Sequence, residues 1–236
     1  MSQTSTRFVI PVYPGTTHLD FTGPHQFFSR VPGAEVMVAS RSGGDLEMDG
    51  LTFAGLARLA DIPGCDVVCV PGGFGTVDAI HDEEFLGQVR RLAAGARFVT
   101  SVCTGSIILA AAGLLAGKRA ACHWYWRDML GQFPGVTVDD SRVVHDGNVI
   151  TGGGVTAGID LALTVISELA GEEVARRIQL GLEYAPQPPF DAGRPERAPA
   201  DTVAAMRQAL ESRTAPNRQR IADFVARMPA PGSASA

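Results

Sequence analysis

The chain has 236 residues, of which 45% are hydrophobic and 19% charged, with a formal net charge of −5. So much apolar content at so little net charge excludes a disordered chain, and nothing here builds the basic field of a nucleic-acid scaffold. Four cysteines are too few for a disulfide framework.

The N-terminal stretch Met1 to Arg7 is polar, and the apolar run behind it is broken by Pro11 and Pro14, so no secretory leader is expected. The longest apolar run, Ile107 to Leu115, contains Gly113 and is about half of what a bilayer span requires. The chain reads as soluble, cytoplasmic and reduced, with no membrane partner.

In chain order, four short apolar runs rich in β-branched residues come first: Arg7–Tyr13, Glu35–Ala39, Asp66–Val70 and Arg97–Val102. Such runs suit strands buried on both faces of a mainly parallel sheet. Helical spacing is found over Glu83–Ala94, Gly105–Ala116 and Val155–Leu169. Met48–Leu51, around Asp49-Gly50, and Val144–Val149, around Asp146-Gly147, read as antiparallel hairpins. This alternation predicts an α/β fold over residues 1–185: a doubly wound, mainly parallel sheet sandwiched by helices.

The remainder differs in charge. Residues 1–193 carry 13 basic and 21 acidic side chains, whereas residues 194–236 carry 7 and 4. Pro186–Ala200 holds five prolines and reads as an extended arm. Beyond it, Asp201–Ser212 and Asn217–Met228 read as two short helices that must pack on the main domain or a partner subunit, and Pro229–Ala236 as a fraying end. The seven arginines here are scattered, which favours a solvated helix face over nucleic-acid contact.

Ligands in a doubly wound sheet bind outside the carboxyl ends of the strands. Four loops should meet there: Pro14–Gly23, Pro71–Gly75, Cys103–Gly105 and Gly152–Gly154. Cys103 stands between a predicted strand and an apolar helix, where a tight turn presents a nucleophile and free helix N–H groups favour a thiolate. Cys65 and Cys69 have no histidine nearby in sequence and do not make a metal site, and Cys122 reads as packing. His145 lies beside a hairpin, away from that edge. Asp20, in the first loop, has two readings: a proton donor to the reaction at Cys103, or the N-cap of a helix opened by Pro24. Pro71-Gly72-Gly73-Phe74-Gly75 matches no phosphate loop, and its N–H groups suit a developing negative charge. His123-Trp124-Tyr125-Trp126 is either a pocket wall or core.

With these residues placed, about residues 5–185 resemble the ThiJ/PfpI superfamily, whose members share a flavodoxin-like, class I glutamine amidotransferase-like sandwich with a cysteine at this elbow. Leu19-Asp20-Phe21-Thr22-Gly23-Pro24, Pro71-Gly72-Gly73 and Ser101-Val102-Cys103-Thr104-Gly105-Ser106 are similar to the isonitrile (isocyanide) hydratase branch. The stretch from Cys103 to Trp124 is also shared with the amidotransferase-like domain of some transcription regulators, whose helix-turn-helix domain this chain is too short to hold. Peptidase and deglycase members tend to carry histidine after the cysteine and glutamate in the first loop, where this chain has Thr104 and Asp20.

The resemblance implies a carbon–nitrogen lyase that hydrates a small apolar isonitrile to an N-substituted formamide without a cofactor, as a homodimer. Cys103 would be the nucleophile and Asp20 its proton donor, with a thioimidate intermediate. Thr104 and the Gly73 N–H would orient substrate and water. A glyoxalase or deglycase-like enzyme, or a redox-sensing chaperone, are the other readings the superfamily offers.

Overall fold

The computed structural model describes residues 5–228. In chain order the elements are β1 (Thr6–Pro11), α1 (His18–Phe28), β2 (Ala34–Ser40), β3 (Gly44–Met48), β4 (Leu51–Arg58), β5 (Val67–Val70), α2 (Thr76–His81), α3 (Glu83–Gly95), β6 (Phe98–Val102), α4 (Gly105–Ala111), β7 (Arg119–Ala120), α5 (Arg127–Leu130), β8 (Thr137–Val138), β9 (Val143–Asp146), β10 (Val149–Gly152), α6 (Ala157–Ala170), α7 (Glu172–Gly181) and α8 (Ala200–Ala226).

Eight strands form one sheet in the order β3-β4-β2-β1-β5-β6-β10-β9. The six inner strands run parallel, and β3 and β9 close the two edges as antiparallel hairpins. The central strands β5 and β10 are buried at every position because both faces of the sheet are covered. Along β5, Val67 and Cys69 face a core shared with α1, α6 and α7, while Val68 and Val70 face one shared with α2, α3, α4, α5 and α8. The doubly wound sandwich expected from the sequence is therefore the fold observed.

Three boundaries differ from the sequence reading. Helix α4 stops at Ala111 rather than Ala116, because Gly113 takes a left-handed φ of 78° and turns the chain. Helix α1 begins at His18, so Pro24 lies inside it rather than at its start. The two short C-terminal helices are one continuous helix, α8, running through Pro216. It packs against α2 and α5 and buries Ile221 and Thr214, so the tail docks on its own domain. The expected fraying of Pro229–Ala236 lies outside the described residues.

Sheet order places the functional edge. Strand β1 is flanked by β2 on one side and β5 on the other, so the chain's path reverses there, and the loops after β1, β5, β6 and β10 converge. Thr16 bridges Gly73, the Thr17 N–H donates to the Gly72 carbonyl at 3.0 Å, and the Cys103 N–H donates to the Gly153 carbonyl at 2.7 Å. Main-chain hydrogen bonds thus join the four predicted loops in two pairs, and the side chain of Thr104 links the pairs.

Candidate active site

Cys103 sits directly between β6 and α4 with a φ of 58°, a left-handed conformation that a non-glycine side chain adopts at a cost. Its N–H is held by the Gly152 and Gly153 carbonyls, and its carbonyl accepts the Ser106 hydroxyl at 3.1 Å. The turn closes because Gly105 has no side chain: a Cβ there would lie 2.1 Å from the Val70 carbonyl oxygen.

Asp20 reaches the same point from the first turn of α1, not from a loop. Its Oδ2 accepts the Gly72 N–H at 2.9 Å across the sheet edge rather than an N–H of its own helix, and the Thr17 side chain, at the N-cap, makes no capping bond. The N-cap reading of Asp20 is therefore overturned. Oδ1 is buried with no conventional hydrogen-bond partner, and the Cys103 thiol is another polar neighbour of the carboxyl. A Cβ on Gly72 would lie 2.5 Å from the Thr104 nitrogen and 3.0 Å from Asp20 Oδ2, so glycine is what lets the turn after β5 approach both.

The electrostatics correct a second expectation. Burial raises the Asp20 pKa to about 7, against the lowering pull of the Gly72 N–H and the Cys103 thiol. Burial, and then the Asp20 charge, push the Cys103 thiol well above its ordinary value, outweighing the Thr104 N–H that favours the ionised sulfur. A free thiolate prepared by the helix start is not the resting state. Near neutral pH the thiol keeps its proton while Asp20 passes between its acid and carboxylate forms, and the carboxylate form leaves the pair with one proton.

Thr104 is buried next to them, with its hydroxyl turned inward. Its Oγ1 accepts the Gly73 N–H at 2.9 Å and meets Thr76 Oγ1 at 2.7 Å, which in turn meets the Tyr13 hydroxyl at 3.1 Å. The Gly73 N–H is therefore spent on Thr104 and is not offered to a ligand. Nothing in the spacing of the sequence points to Thr76 or Tyr13, because this chain of hydroxyls is assembled from three separate loops.

Cys103 and Thr104 open onto a cavity of about 110 Å³, lined also by Thr17, Gly73, Phe74, His123, Trp126, Val155 and Leu210. The wall is mostly apolar. His123 thus folds toward the cysteine although it is 20 positions away in sequence, and the aromatic stretch divides, with Trp126 on the wall and Tyr125 in the core. Nδ1 of His123 accepts the Tyr125 N–H at 3.3 Å, and burial followed by the Arg127 charge lowers its pKa to about 4, so the ring is neutral. Leu210 comes from α8, a contribution the sequence did not signal. His145 lies on β9, hydrogen-bonded to the Gly147 carbonyl and away from the cavity. Among the described residues no group of three His, Cys, Asp or Glu side chains is placed to hold a metal ion, and Cys65, Cys69 and Cys122 are free thiols, Cys69 and Cys122 fully packed. No helix among the described residues is long and apolar enough to cross a membrane.

Residues 6–168 match the model of the DJ-1/PfpI family. The chain is 47% identical over 196 residues to the isonitrile hydratase of Pseudomonas putida, covering 81% of this chain and 84% of that protein. It is 30% identical to the protein dj-1beta of Drosophila melanogaster, over 72% of this chain and 92% of that one. Among solved structures, a ThiJ/PfpI family protein from Pseudomonas syringae superposes with a TM-score of 0.87 at 38% identity, covering 94% of this chain and 91% of the other.

Proposed function

The chain belongs to the DJ-1/PfpI family, and from that premise we propose that it is an isonitrile hydratase, converting an isonitrile and water to an N-substituted formamide. The observation that carries this reading is the buried Cys103–Asp20 pair, with Cys103 on the wall of a small, mostly apolar cavity and Asp20 behind it. An isonitrile carbon accepts a nucleophile and a proton at the same atom. A thiol and a carboxylate sharing one proton supply both.

In the first step Asp20 takes the thiol proton as Sγ of Cys103 attacks the terminal carbon. The proton is then delivered to that carbon, giving a thioimidate, R–N=CH–S–Cys103. Water adds to the C=N bond with Asp20 moving one of its protons to nitrogen. The C–S bond breaks in the tetrahedral adduct, the hydroxyl proton returns to sulfur through Asp20, and R–NH–CHO leaves. The thiol and carboxylate are restored and no redox equivalent is consumed. The Thr104 N–H steadies the ionised sulfur, while the Thr104 hydroxyl, by holding the Gly73 turn, positions rather than contacts substrate.

Mass-spectrometric detection of formamide from a simple isonitrile tests this. Product from the wild-type protein is expected, and its absence, with turnover of methylglyoxal instead, moves the chain to the glyoxalase-like reading. Dimerisation is part of the same proposal: Leu180 and Phe190 are 82% and 78% exposed and offer apolar surface to a second copy. Light scattering should give about twice the 24.8 kDa chain mass.

A further inference from the structure

A second cavity, of about 200 Å³, adjoins the first and shares His123 and Val155 with it. The chemistry above does not use it. Three guanidinium groups line it, those of Arg127, Arg142 and Arg194, against one carboxylate, Asp140. Arg142 is committed: Nε lies 2.6 Å from Asp160 Oδ2, and Nη2 donates to the Thr156 carbonyl at 3.0 Å. Arg127 and Arg194 are less so. Both donate to the main-chain carbonyl of Asp140, and the remaining pair of Arg127, with Glu196, spans 3.4 Å at the exposed rim. Arg127 Nε is buried with no partner, a donor that is costly to leave unmade.

The start of α6 adds to this positive field, since Val155 and Thr156 lie on the cavity wall immediately before Ala157. The boundary with the Cys103 cavity carries no opposing charge. His123 is neutral, with Nδ1 occupied by Tyr125, which leaves Nε2 as its donor.

We propose that this cavity is an anion subsite for a carboxylate carried by the substrate. The preferred isonitrile then has its reactive carbon at Cys103 and a carboxylate reaching past His123 to Arg127 and Arg194. This rests on the isonitrile reading of the Cys103 site and narrows its substrate class. A carboxylate matches two partly free guanidiniums, which face Asp140 on the wall and Glu196 at the exposed rim but leave the Arg127 Nε without a partner, and the flat fork of arginine suits its two oxygens.

The test compares an ω-isocyano carboxylate with its methylamide of equal length, following the formamide by NMR. The readout is the ratio of the two kcat/KM values, in which any general damage to the fold cancels. The wild type is expected to favour the carboxylate about tenfold or more, and Arg127→Gln and Arg194→Gln each to bring the ratio toward one. A wild-type ratio near one, or a ratio unchanged in both variants, overturns the proposal. If neither compound is hydrated, the isonitrile reading fails and the subsite is judged by calorimetry with an N-formyl amino acid. Binding that is lost in both variants and in the methylamide of that probe sustains it. Equal binding of acid and methylamide, or heat of binding from inorganic phosphate where the formyl amino acid gives none, overturns it.

Discussion

The Cys103 cavity has two walls, and they are held by different forces. The sheet-edge wall is backbone packed on backbone: the Gly105 and Gly72 positions leave no room for a Cβ, and Cys103 itself is held at a left-handed φ by two carbonyls on its N–H. The opposite wall includes Leu210 of α8, a mostly exposed helix laid on the surface. Arg213 stacks 4.5 Å from the Phe74 ring centre and Arg207 5.0 Å from that of Trp124, while the Tyr125 hydroxyl donates to Glu211 at 2.5 Å. Each exposed cation–π contact contributes about 0.5–1 kcal/mol, less than the 1–3 kcal/mol of a clash in a packed interior. The reacting groups sit on the wall held by close backbone packing. The other wall is held at the cavity by weaker side-chain contacts.

Removing the nucleophile should have the largest effect. Cys103→Ala is expected to lower kcat by a factor of about 10³ or more while leaving the melting temperature within a few degrees, because the side chain removed is small. Full turnover by this variant would end the nucleophile assignment and, with it, the contrast between the two walls.

Asp20→Asn comes next, and it separates chemistry from stability. The folded pKa of Asp20 is raised to about 7 from 3.8, so the stability linked to its proton is fully present below about 4 and is lost as pH rises through about 7. Asparagine keeps an acceptor for the Gly72 N–H and removes that loss. The variant should therefore melt higher than wild type at pH 8 and lose the pH dependence of stability between about 4 and 7. Its kcat/KM should fall by about 10²–10³, and the acid limb of the wild-type profile, near pH 7, should vanish. A variant that is less stable at pH 8 and still active would show that the carboxylate is structural.

Gly105→Ala probes the edge without touching a reacting group. A methyl group 2.1 Å from the Val70 carbonyl forces β5 and α4 apart, costing about 1–3 kcal/mol of stability, and the displaced elbow should cost at least tenfold in kcat. An unchanged melting curve would mean that the edge yields as readily as α8.

The edge was also the more legible wall. Short β-branched runs locate β1, β2, β5 and β6, the Asp146-Gly147 hairpin locates β9 and the start of β10, and glycine-rich turns locate the loops of the edge, because strand burial and backbone approach leave local traces in composition. Cys103 and Asp20 were recognisable on those grounds. What was not legible depends on distant neighbours. The resting thiol was misread as a thiolate because helix polarity is visible in sequence, whereas burial and the Asp20 charge are not. The Gly73 N–H was offered to substrate because its bond to Thr104 arises only when two loops meet. Helix α1 was started too late because Gly23 and Pro24 look like a beginning. Helix α8 was split at Pro216, which removes one hydrogen bond, to the Ser212 carbonyl; docking of Thr214 and Ile221 on either side holds the helix through it.

The smallest effects are expected on α8, and they decide whether the second wall is more than a cover. Leu210→Ala enlarges the cavity beside Cys103 without changing a charge, and Arg213→Ala frees Phe74, which is 48% exposed even with the arginine stacked on it. Neither side chain touches the Cys103–Asp20 proton, so kcat should hold within about twofold while KM for a small isonitrile rises about three- to tenfold, the loss of about 1 kcal/mol of apolar or cation–π contact. Bulkier isonitriles should gain on small ones in Leu210→Ala. Removing residues 200–236 altogether is a different perturbation, since it uncovers the apolar site under Ile221 and should lower the melting temperature as well as raise KM. If the point substitutions lowered kcat at saturating substrate instead of raising KM, α8 would be coupled to the reacting pair, and the division between a rigid catalytic wall and an adjustable one would not hold.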